Sequence, residues 1–152
     1  MPKIDVSKAQ IRTTNIYPQQ FKMPVEGRAK MALGDLARLS QFGVNLTRLP
    51  PGVASSLRHW HEQEDEFVYI LEGELTLIED DGETLLKAGD AAGWKAGVAD
   101  GHMLINKSQS DAVYLEIGTR SPKERAHYPE HDLLYIRDEN GIRVTQRDGK
   151  PY

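Results

Sequence analysis

Residues 51–73 read PGVASSLRHWHEQEDEFVYILEG and contain two histidines, His59 and His61, two positions apart. In a β-strand, residues i and i+2 point to the same face, so the sequence predicts two imidazoles side by side. Glu66 lies five positions after His61, an odd offset that one straight strand cannot place on that face. The polar residues 63–65 predict a turn. A second strand starting at Glu66 then faces its carboxylate toward the imidazoles across a hairpin.

Neutral imidazole and carboxylate together suit a divalent transition metal ion, so this stretch is a candidate metal site. A His-x-His pair on a half-buried strand also occurs as two polar side chains that simply face solvent. The spacing of these residues alone leaves both interpretations open.

The composition indicates one globular domain and excludes several functional classes. The chain has 152 residues, of which 39% are hydrophobic and 28% charged, as in an ordinary folded domain. A net charge of −4 without a basic stripe argues against a nucleic-acid partner. The absence of cysteine excludes disulfides, thiolate metal sites and cysteine nucleophiles. No secretory signal and no membrane-length apolar run is visible, so we expect a cytoplasmic protein without a membrane partner.

Short strands separated by turn signals dominate the chain. Alternating apolar and polar residues predict strands at residues 42–49, 54–61, 66–72, 75–79, 83–87, 102–106 and 112–118. Asn140-Gly141 is a strong turn pair and predicts a terminal hairpin over residues 132–147. Residues 31–40 are ambiguous, and residues 120–132 are expected to be irregular. This pattern predicts an all-β chain built as an antiparallel sandwich or barrel.

The histidine pair also belongs to a longer pattern that resembles the first motif of the cupins. That motif is Pro-Gly, five residues, His-x-His, three or four residues, Glu, six residues and Gly. Here six residues rather than five follow Pro51-Gly52. The later spacings of the motif fit His59, His61, Glu66 and Gly73.

A second stretch resembles the other cupin motif, which is Gly, five residues, Pro-x-Gly, two residues, His, three residues and Asn. Gly89 is followed by five residues and then by Lys95-Ala96-Gly97, so lysine stands where proline is usual. Four residues rather than two precede His102, and Asn106 follows at the family spacing. We expect the longer loop to alter the rim of the predicted pocket more than the position of His102.

The resemblance implies a cupin-type double-stranded β-helix (jelly roll) barrel with an N-terminal arm and a C-terminal hairpin. We expect residues 1–30 to form the arm, with a short strand at Ile16-Tyr17, and residues 31–119 to form the barrel. Residues 120–152 would be an extension of the same domain. The resemblance also implies one divalent transition metal ion as cofactor (Zn, Mn, Fe, Ni or Co). Its implied ligands are His59, His61, Glu66 and His102, which leave open positions for water or substrate on an octahedral ion.

Three functions are compatible with such a site. The segments GDAAGW, YLEIGTRSP and HYPEHDL resemble single-domain cupins that are likened to sugar-phosphate isomerases. The first hypothesis is a metal-dependent isomerase or epimerase acting on a small sugar, sugar phosphate or hydroxy-carbonyl compound. The alternatives are an Fe(II)-dependent dioxygenase and a non-catalytic protein that binds a small ligand through the metal. The sequence marks no nucleophile, no organic-cofactor motif and no dedicated acid–base pair, so the catalytic residues remain unknown.

Other residues near the motifs are weaker candidates. Four basic residues could meet an anionic substrate, although we expect them at the surface: Arg48, Arg58, Lys95 and Arg120. We expect His127 and His131 to be exposed loop histidines and Trp94 to be a core plug. A carboxylate behind a ligand histidine could come from the turn residues Glu62, Glu64 or Asp65. By alternation, the walls of a small pocket would come from Ser55, Leu57, Val68 and Ile70.

We expect a homodimer. The arm and the terminal hairpin exceed what one small barrel needs, and an open sheet edge invites pairing with a second copy. Tyr17, Tyr69 and Tyr114 are expected in the core or at an interface.

Overall fold

The computed structural model describes residues 3–152 and confirms the predicted all-β class. Its strands are β1 (Ile11–Arg12), β2 (Ala29–Ala32), β3 (Phe42–Leu49), β4 (Trp60–His61), β5 (Glu66–Glu72), β6 (Glu74–Glu79), β7 (Gly82–Lys87), β8 (Ala91–Trp94), β9 (Met103–Ile105), β10 (Ala112–Thr119), β11 (Glu124–His127), β12 (Leu134–Asp138) and β13 (Gly141–Thr145). The helices described are one α-helix, α1 (Leu33–Leu36), and three 3₁₀ helices, Val6–Lys8, Gln19–Phe21 and Met23–Val25. Within residues 3–152, no helix is long and apolar enough to cross a membrane.

The strands pair antiparallel in three sheets that together form a jelly-roll barrel, as predicted. The largest sheet has the order β1-β2-β3-β10-β5-β8, the second β13-β12-β11-β4 and the third β7-β6-β9. Isolated bridges from Ala54 to Ile105 and from His59 to His102 hold the segment before β4 alongside β9. The sequence motifs therefore meet at the place where this segment closes the barrel.

Alternation along β5 determines which side chains face the interior. Val68 and Ile70 are buried, whereas Phe67, Tyr69 and Leu71 on the opposite face are 39–43% exposed. The inward residues pack against the three-stranded sheet, and each fully buried aliphatic side chain contributes roughly 1.5–3 kcal/mol. This main core consists of Leu49, Val68, Ile70, Leu75, Leu77, Leu86, Leu104, Ala112 and Tyr114.

A second core cluster attaches the N-terminal arm to the C-terminal sheet. Tyr17 and Val25 of the arm are buried against residues of β11 and of the loop that follows it. The rings of Tyr17 and Tyr128 meet edge to face at 5.8 Å between centroids. The arm is therefore packed onto the barrel over part of its length.

Three segments differ from the sequence-based expectation, each for a local reason. The arm strand lies at Ile11–Arg12 rather than at Ile16-Tyr17. At the predicted position the Asn15 side chain accepts the Tyr17 N–H at 3.0 Å, which turns the chain. Only Trp60–His61 of the predicted strand 54–61 is a strand. In that segment, the Ser55 hydroxyl accepts the Leu104 N–H at 3.0 Å, in place of a backbone carbonyl. The segment 120–132, expected to be irregular, contains β11. Glu124 points inward in this strand, but as a charged residue it does not produce the apolar alternation that predicts a strand.

Gly73 provides a test of the turn between β5 and β6. Its φ is +73°, and a Cβ there would lie 2.8 Å from the Asp111 carbonyl oxygen. Gly73→Ala should lower the free energy of unfolding by about 2–4 kcal/mol, because strain and a backbone clash combine. Gly52→Ala is the matched control. Its φ is +80° but nothing lies within 4 Å of the added Cβ, so it should cost about 1 kcal/mol. Urea denaturation showing equal losses would contradict this account of the turn.

Candidate metal centre

The four residues implied as metal ligands lie together inside the barrel. The Oε2 atom of Glu66 is 2.7 Å from His102 Nε2, 3.4 Å from His61 Nε2 and 3.7 Å from His59 Nε2. The side chains of His59 and His61 are 12% and 15% exposed, so the two histidines do not simply face solvent. The ring centroid of His59 lies 4.9 Å from that of His61 and also 4.9 Å from that of His102.

Strand pairing positions each of these side chains. His59 and His102 are opposite each other in an antiparallel bridge, with N–H···O distances of 3.1 and 2.9 Å between their backbones. His61 ends β4 and pairs with Ala126 of β11. Glu66 begins β5, between Gly118 of β10 and Trp94 of β8. Four separate pairings thus converge on one point of the interior.

The ring nitrogens fit a metal ion. His59 Nδ1 lies 2.9 Å from the Leu57 carbonyl oxygen, which can only accept, so Nδ1 carries the hydrogen and Nε2 keeps its lone pair. Both ring nitrogens of His61 and the Nδ1 of His102 are buried without a hydrogen-bond partner among the described residues. Buried imidazole nitrogens around one carboxylate are a donor set that suits a divalent transition metal ion. The residues present therefore fit the implied cofactor.

Burial and charge set the protonation of the cluster. Burial lowers the pKa of His59 to about 4, so this imidazole is neutral at physiological pH. Burial also acts to lower the pKa of His61, but the carboxylates of Glu124 at 3.6 Å and Glu66 at 3.4 Å outweigh it and raise the pKa to about 10. Burial acts to raise the pKa of Glu66, yet the hydrogen bond with His102 and the nearby imidazole of His61 hold it well below its usual range. A metal ion bound here would have to displace the proton on His61, so we expect metal binding to weaken as the pH falls.

Glu124 lies beside His61 on the side of its Nδ1 atom, and it was not identified from the sequence. Its side chain is fully buried, and its two oxygens accept the N–H groups of Glu62 and Gln63, each at 3.0 Å. The Oε1 atom lies 3.6 Å from His61 Nδ1, where a carboxylate fixes the orientation of the imidazole. The sequence suggested the turn carboxylates for this position. Glu124 is distant in the chain, and no local signal connects it to His61.

The cluster opens into a cavity of about 270 Å³ that also contains charged groups from outside the two motifs. Lys30 and Glu116 face each other there, with 2.7 Å between Lys30 Nζ and Glu116 Oε1. The Tyr114 hydroxyl is buried and unpaired within the described part of the chain. Residues 14–17 of the arm and Arg28 complete one wall. Alternation from Gly118 back along β10 puts Glu116 and Tyr114 on one face, but the sequence does not reveal that this face lines a cavity.

Several residues considered from the sequence take other positions. Ser55 and Val68 line the cavity as predicted, whereas Leu57 and Ile70 are buried in the two core clusters. Trp94 also lines the cavity rather than only plugging the core. Its ring stacks on that of His102 at 3.8 Å between centroids, and its Nε1 donates to Glu79 at 2.7 Å.

The other basic residues and histidines lie outside the cavity. The four basic residues proposed from the motifs are absent from its described lining: Arg48, Arg58, Lys95 and Arg120. The expectation that His127 is a loop histidine is wrong. It belongs to β11, stacks on Trp60 at 4.3 Å and contacts Glu62 at 2.7 Å. His131 lies against the ring of Phe21 at 5.2 Å between centroids.

Comparisons with known proteins agree with this fold. The geometry defines a class of protein, namely jelly-roll barrels whose cavity contains a cluster of histidines and a glutamate. Residues 45–118 match the cupin domain family. A crystal structure of a cupin-superfamily sugar phosphate isomerase from Silicibacter pomeroyi is 42% identical, with a TM-score of 0.95. That alignment covers 99% of this chain and 96% of the other. The chain belongs to the cupin superfamily.

Other solved structures share the fold at lower identity. A protein of Acidithiobacillus ferrooxidans, provisionally named a sugar phosphate isomerase, is 27% identical with a TM-score of 0.74, over 82% of this chain and 80% of its own. A predicted oxalate decarboxylase of Thermotoga maritima is 21% identical with a TM-score of 0.62, over 78% and 98%, and supports the fold alone. The comparison with curated proteins finds no match.

Metal content tests the ligand set. Protein purified without chelators should contain about one divalent transition metal ion per chain at pH 8, and His61→Ala should lose at least about 90% of it. His131→Ala is the control, because this imidazole lies against Phe21 and not in the cluster. Bound metal should fall on dialysis to pH 5 in the wild type. Elemental analysis that finds equal metal in the wild type and His61→Ala would overturn the assignment.

Proposed function

We propose that this cupin is a metal-dependent isomerase or epimerase acting on a small sugar, sugar phosphate or hydroxy-carbonyl compound. The observation that carries the proposal is the combination, in one cavity, of the His/Glu cluster with a second carboxylate and a buried tyrosine hydroxyl. The 42% identity to a protein described as a sugar phosphate isomerase supports the same class. The cavity volume of about 270 Å³ also suits a small substrate.

In this proposal, the metal is one divalent transition ion (Zn, Mn, Fe, Ni or Co). Its ligands would be His59, His61, Glu66 and His102, with Glu124 orienting the imidazole of His61. When bound, the ion supplies Lewis acidity toward the carbonyl and hydroxyl oxygens of the substrate.

Proton transfer is assigned to Glu116. Isomerisation of a hydroxy-carbonyl compound moves one proton from the hydroxyl-bearing carbon to the former carbonyl carbon, and a second proton from the hydroxyl oxygen to the carbonyl oxygen. The Oε1 atom of Glu116 accepts from Lys30 Nζ at 2.7 Å and from Asn45 Nδ2 at 3.1 Å. These contacts hold the carboxylate in place, while Oε2 has no hydrogen-bond partner among residues 3–152 and is free to accept the proton.

Tyr114 is assigned a donor role. Burial raises the pKa of its hydroxyl well above the usual value, so the group stays protonated. Since the hydroxyl is buried at the cavity without a partner in the described residues, a substrate oxygen would satisfy it. Donation to that oxygen stabilises the negative charge that develops when the carbon loses its proton.

Deuterium exchange tests this chemistry. Metal-loaded protein should incorporate deuterium from deuterated water beside the carbonyl of at least one member of a panel of sugars and sugar phosphates, without oxygen. Glu116→Gln should slow this exchange by about 100-fold or more, because the base is lost. His102→Ala should abolish it. Glu83→Gln is the control, because Glu83 forms a similar 2.7 Å pair with Lys107 but is exposed.

Three outcomes would count against the isomerase. Exchange that persists in His102→Ala would separate the chemistry from the metal cluster. Oxygen uptake by the iron-loaded protein without anaerobic exchange would favour a dioxygenase. Tight ligand binding without turnover on any divalent metal would favour a binding protein.

We also propose that the protein forms a homodimer through the outer face of the six-stranded sheet. The strand register aligns one apolar row across all six strands of this face: Ile11, Met31, Leu46, Leu115, Tyr69 and Ala91. Ile11 is 55% exposed in the chain by itself. An apolar sheet face of this extent is typical of a surface that a second copy covers.

Light scattering at micromolar concentration tests the dimer. The wild type should have twice the 17.1 kDa mass of the chain. Tyr69→Lys should shift it to the monomer, because a charge enters the apolar row. Leu85→Lys on the three-stranded sheet, where Leu85 is 50% exposed, should leave the dimer intact. A monomeric wild type would refute the proposal.

A further inference from the structure

Arg28 introduces a positive charge into the cavity. It follows Gly27, whose φ of +95° turns the chain into β2, and its side chain lines the cavity beside the arm. Its Nη1 donates to the Ser55 carbonyl, which fixes the guanidinium against the segment that leads to His59. The other N–H groups of the guanidinium have no protein acceptor among residues 3–152. They are available to a molecule in the cavity.

Arg28 is the cationic side chain of the described cavity lining that has no carboxylate partner. The described lining contains two carboxylates, Glu66 and Glu116, and two basic side chains, Arg28 and Lys30. Glu116 is paired with Lys30, and Glu66 lies among the three imidazoles. No described carboxylate lies within 4.0 Å of the Arg28 guanidinium, unlike those of Arg48, Arg58 and Arg120. A half-buried guanidinium without a counter-ion favours an anionic ligand, because the ligand supplies the missing charge.

Neutral hydrogen-bonding groups line the same cavity as this charge. Thr14 and Asn15 of the arm and Ser56 line the same cavity. The Oδ1 atom of Asn15 is engaged by the Tyr17 N–H at 3.0 Å, so its amide NH₂ remains a donor. The hydroxyl of Tyr114 is the buried unpaired group noted above. An oxyanion entering beside Arg28 would find several donors and one fixed positive charge, which is the chemistry that binds phosphate esters and carboxylates.

We propose that Arg28 is the anion-recognition residue of the cavity and selects a substrate that carries a phosphate ester or a carboxylate. This inference rests on the proposed function, since it names the substrate class of the same site. Arginine fits the role better than lysine, because its planar fork can make two parallel hydrogen bonds to such a group while one N–H remains on Ser55.

Binding of three small probes tests the subsite by calorimetry on metal-loaded protein. Glycerol 3-phosphate carries a phosphate ester, glycerate a carboxylate, and glycerol neither. The wild type should bind at least one of the two anions and not glycerol. Arg28→Gln keeps an N–H donor for the Ser55 carbonyl but loses the charge, and it should weaken anion binding by about ten- to a hundredfold. Arg28→Lys should restore part of the affinity, and the anion that responds to these variants identifies the group recognised.

Arg48→Gln is the matched control, because Arg48 is paired with Asp111 at 3.0 Å outside the cavity. The affinity of Arg48→Gln for the anions should equal that of the wild type. The thermal unfolding midpoint of Arg28→Gln should show that this variant is folded. Equal anion affinity in Arg28→Gln and the wild type would overturn the proposal. Wild-type protein that binds glycerol as tightly as the anions would also overturn it. So would wild-type protein that binds neither anion at millimolar concentration. Anion binding that disappears in His102→Ala but is unchanged in Arg28→Gln would assign the anion to the metal instead.

The same measurements separate this proposal from the isomerase assignment. Arg28-dependent anion binding without deuterium exchange would refute the isomerase and leave the subsite intact. Exchange with an unchanged KM for anionic substrates in Arg28→Gln would refute the subsite and leave the isomerase intact.

Discussion

The backbone bridge between His59 and His102 is the contact on which the rest of the site depends. Two hydrogen bonds of 3.1 and 2.9 Å close the barrel there and fix two imidazoles from distant parts of the chain 4.9 Å apart. Without this closure, the buried carboxylate of Glu66 would lose His102, its nearest partner at 2.7 Å, which is unfavourable in a protein interior. The same bridge that completes the wall of the barrel therefore also makes it possible to bury that charge.

The interior of this barrel is polar at one end and apolar at the other, and strand alternation produces both. On β10, Tyr114 and Glu116 face the same side as the neighbouring Val68 of β5, which continues into the main core. Charged groups are tolerated because each has a partner: Lys30 for Glu116, the imidazoles for Glu66, and backbone N–H groups for Glu124. Arg28 lacks a carboxylate partner among the described residues, which is why it points to a ligand rather than to stability.

The sequence predicts those parts of the molecule that depend on local periodicity. His59, His61 and Glu66 follow from a two-residue repeat and a turn, and the hairpin at Asn140-Gly141 follows from the turn chemistry of that pair. The fourth implied ligand, His102, required the resemblance to the cupins. Strand content was overestimated at 54–61 and missed at β11, because hydroxyl and carboxylate side chains there make hydrogen bonds that periodicity does not report.

The residues that the sequence could not identify are those whose positions depend on register between distant strands. Glu116 reaches the cavity only because β10 pairs with both β3 and β5. Glu124 reaches His61 only because β11 pairs with β4. Glu116 lies within the segment YLEIGTRSP, but no spacing in the sequence gives either carboxylate a role, and both resemble ordinary surface carboxylates.

The arm gives this fold a way to change its ligand without changing its frame. Tyr17 and Val25 anchor the arm in the second core cluster, whereas Thr14, Asn15 and Ile16 line the cavity without belonging to either core. Substitutions in this short segment alter the shape and polarity of the entrance while every barrel strand keeps its partners. Divergence of selectivity among related chains can thus proceed through a few residues that precede the barrel, and engineering of new ligands can begin at the same positions.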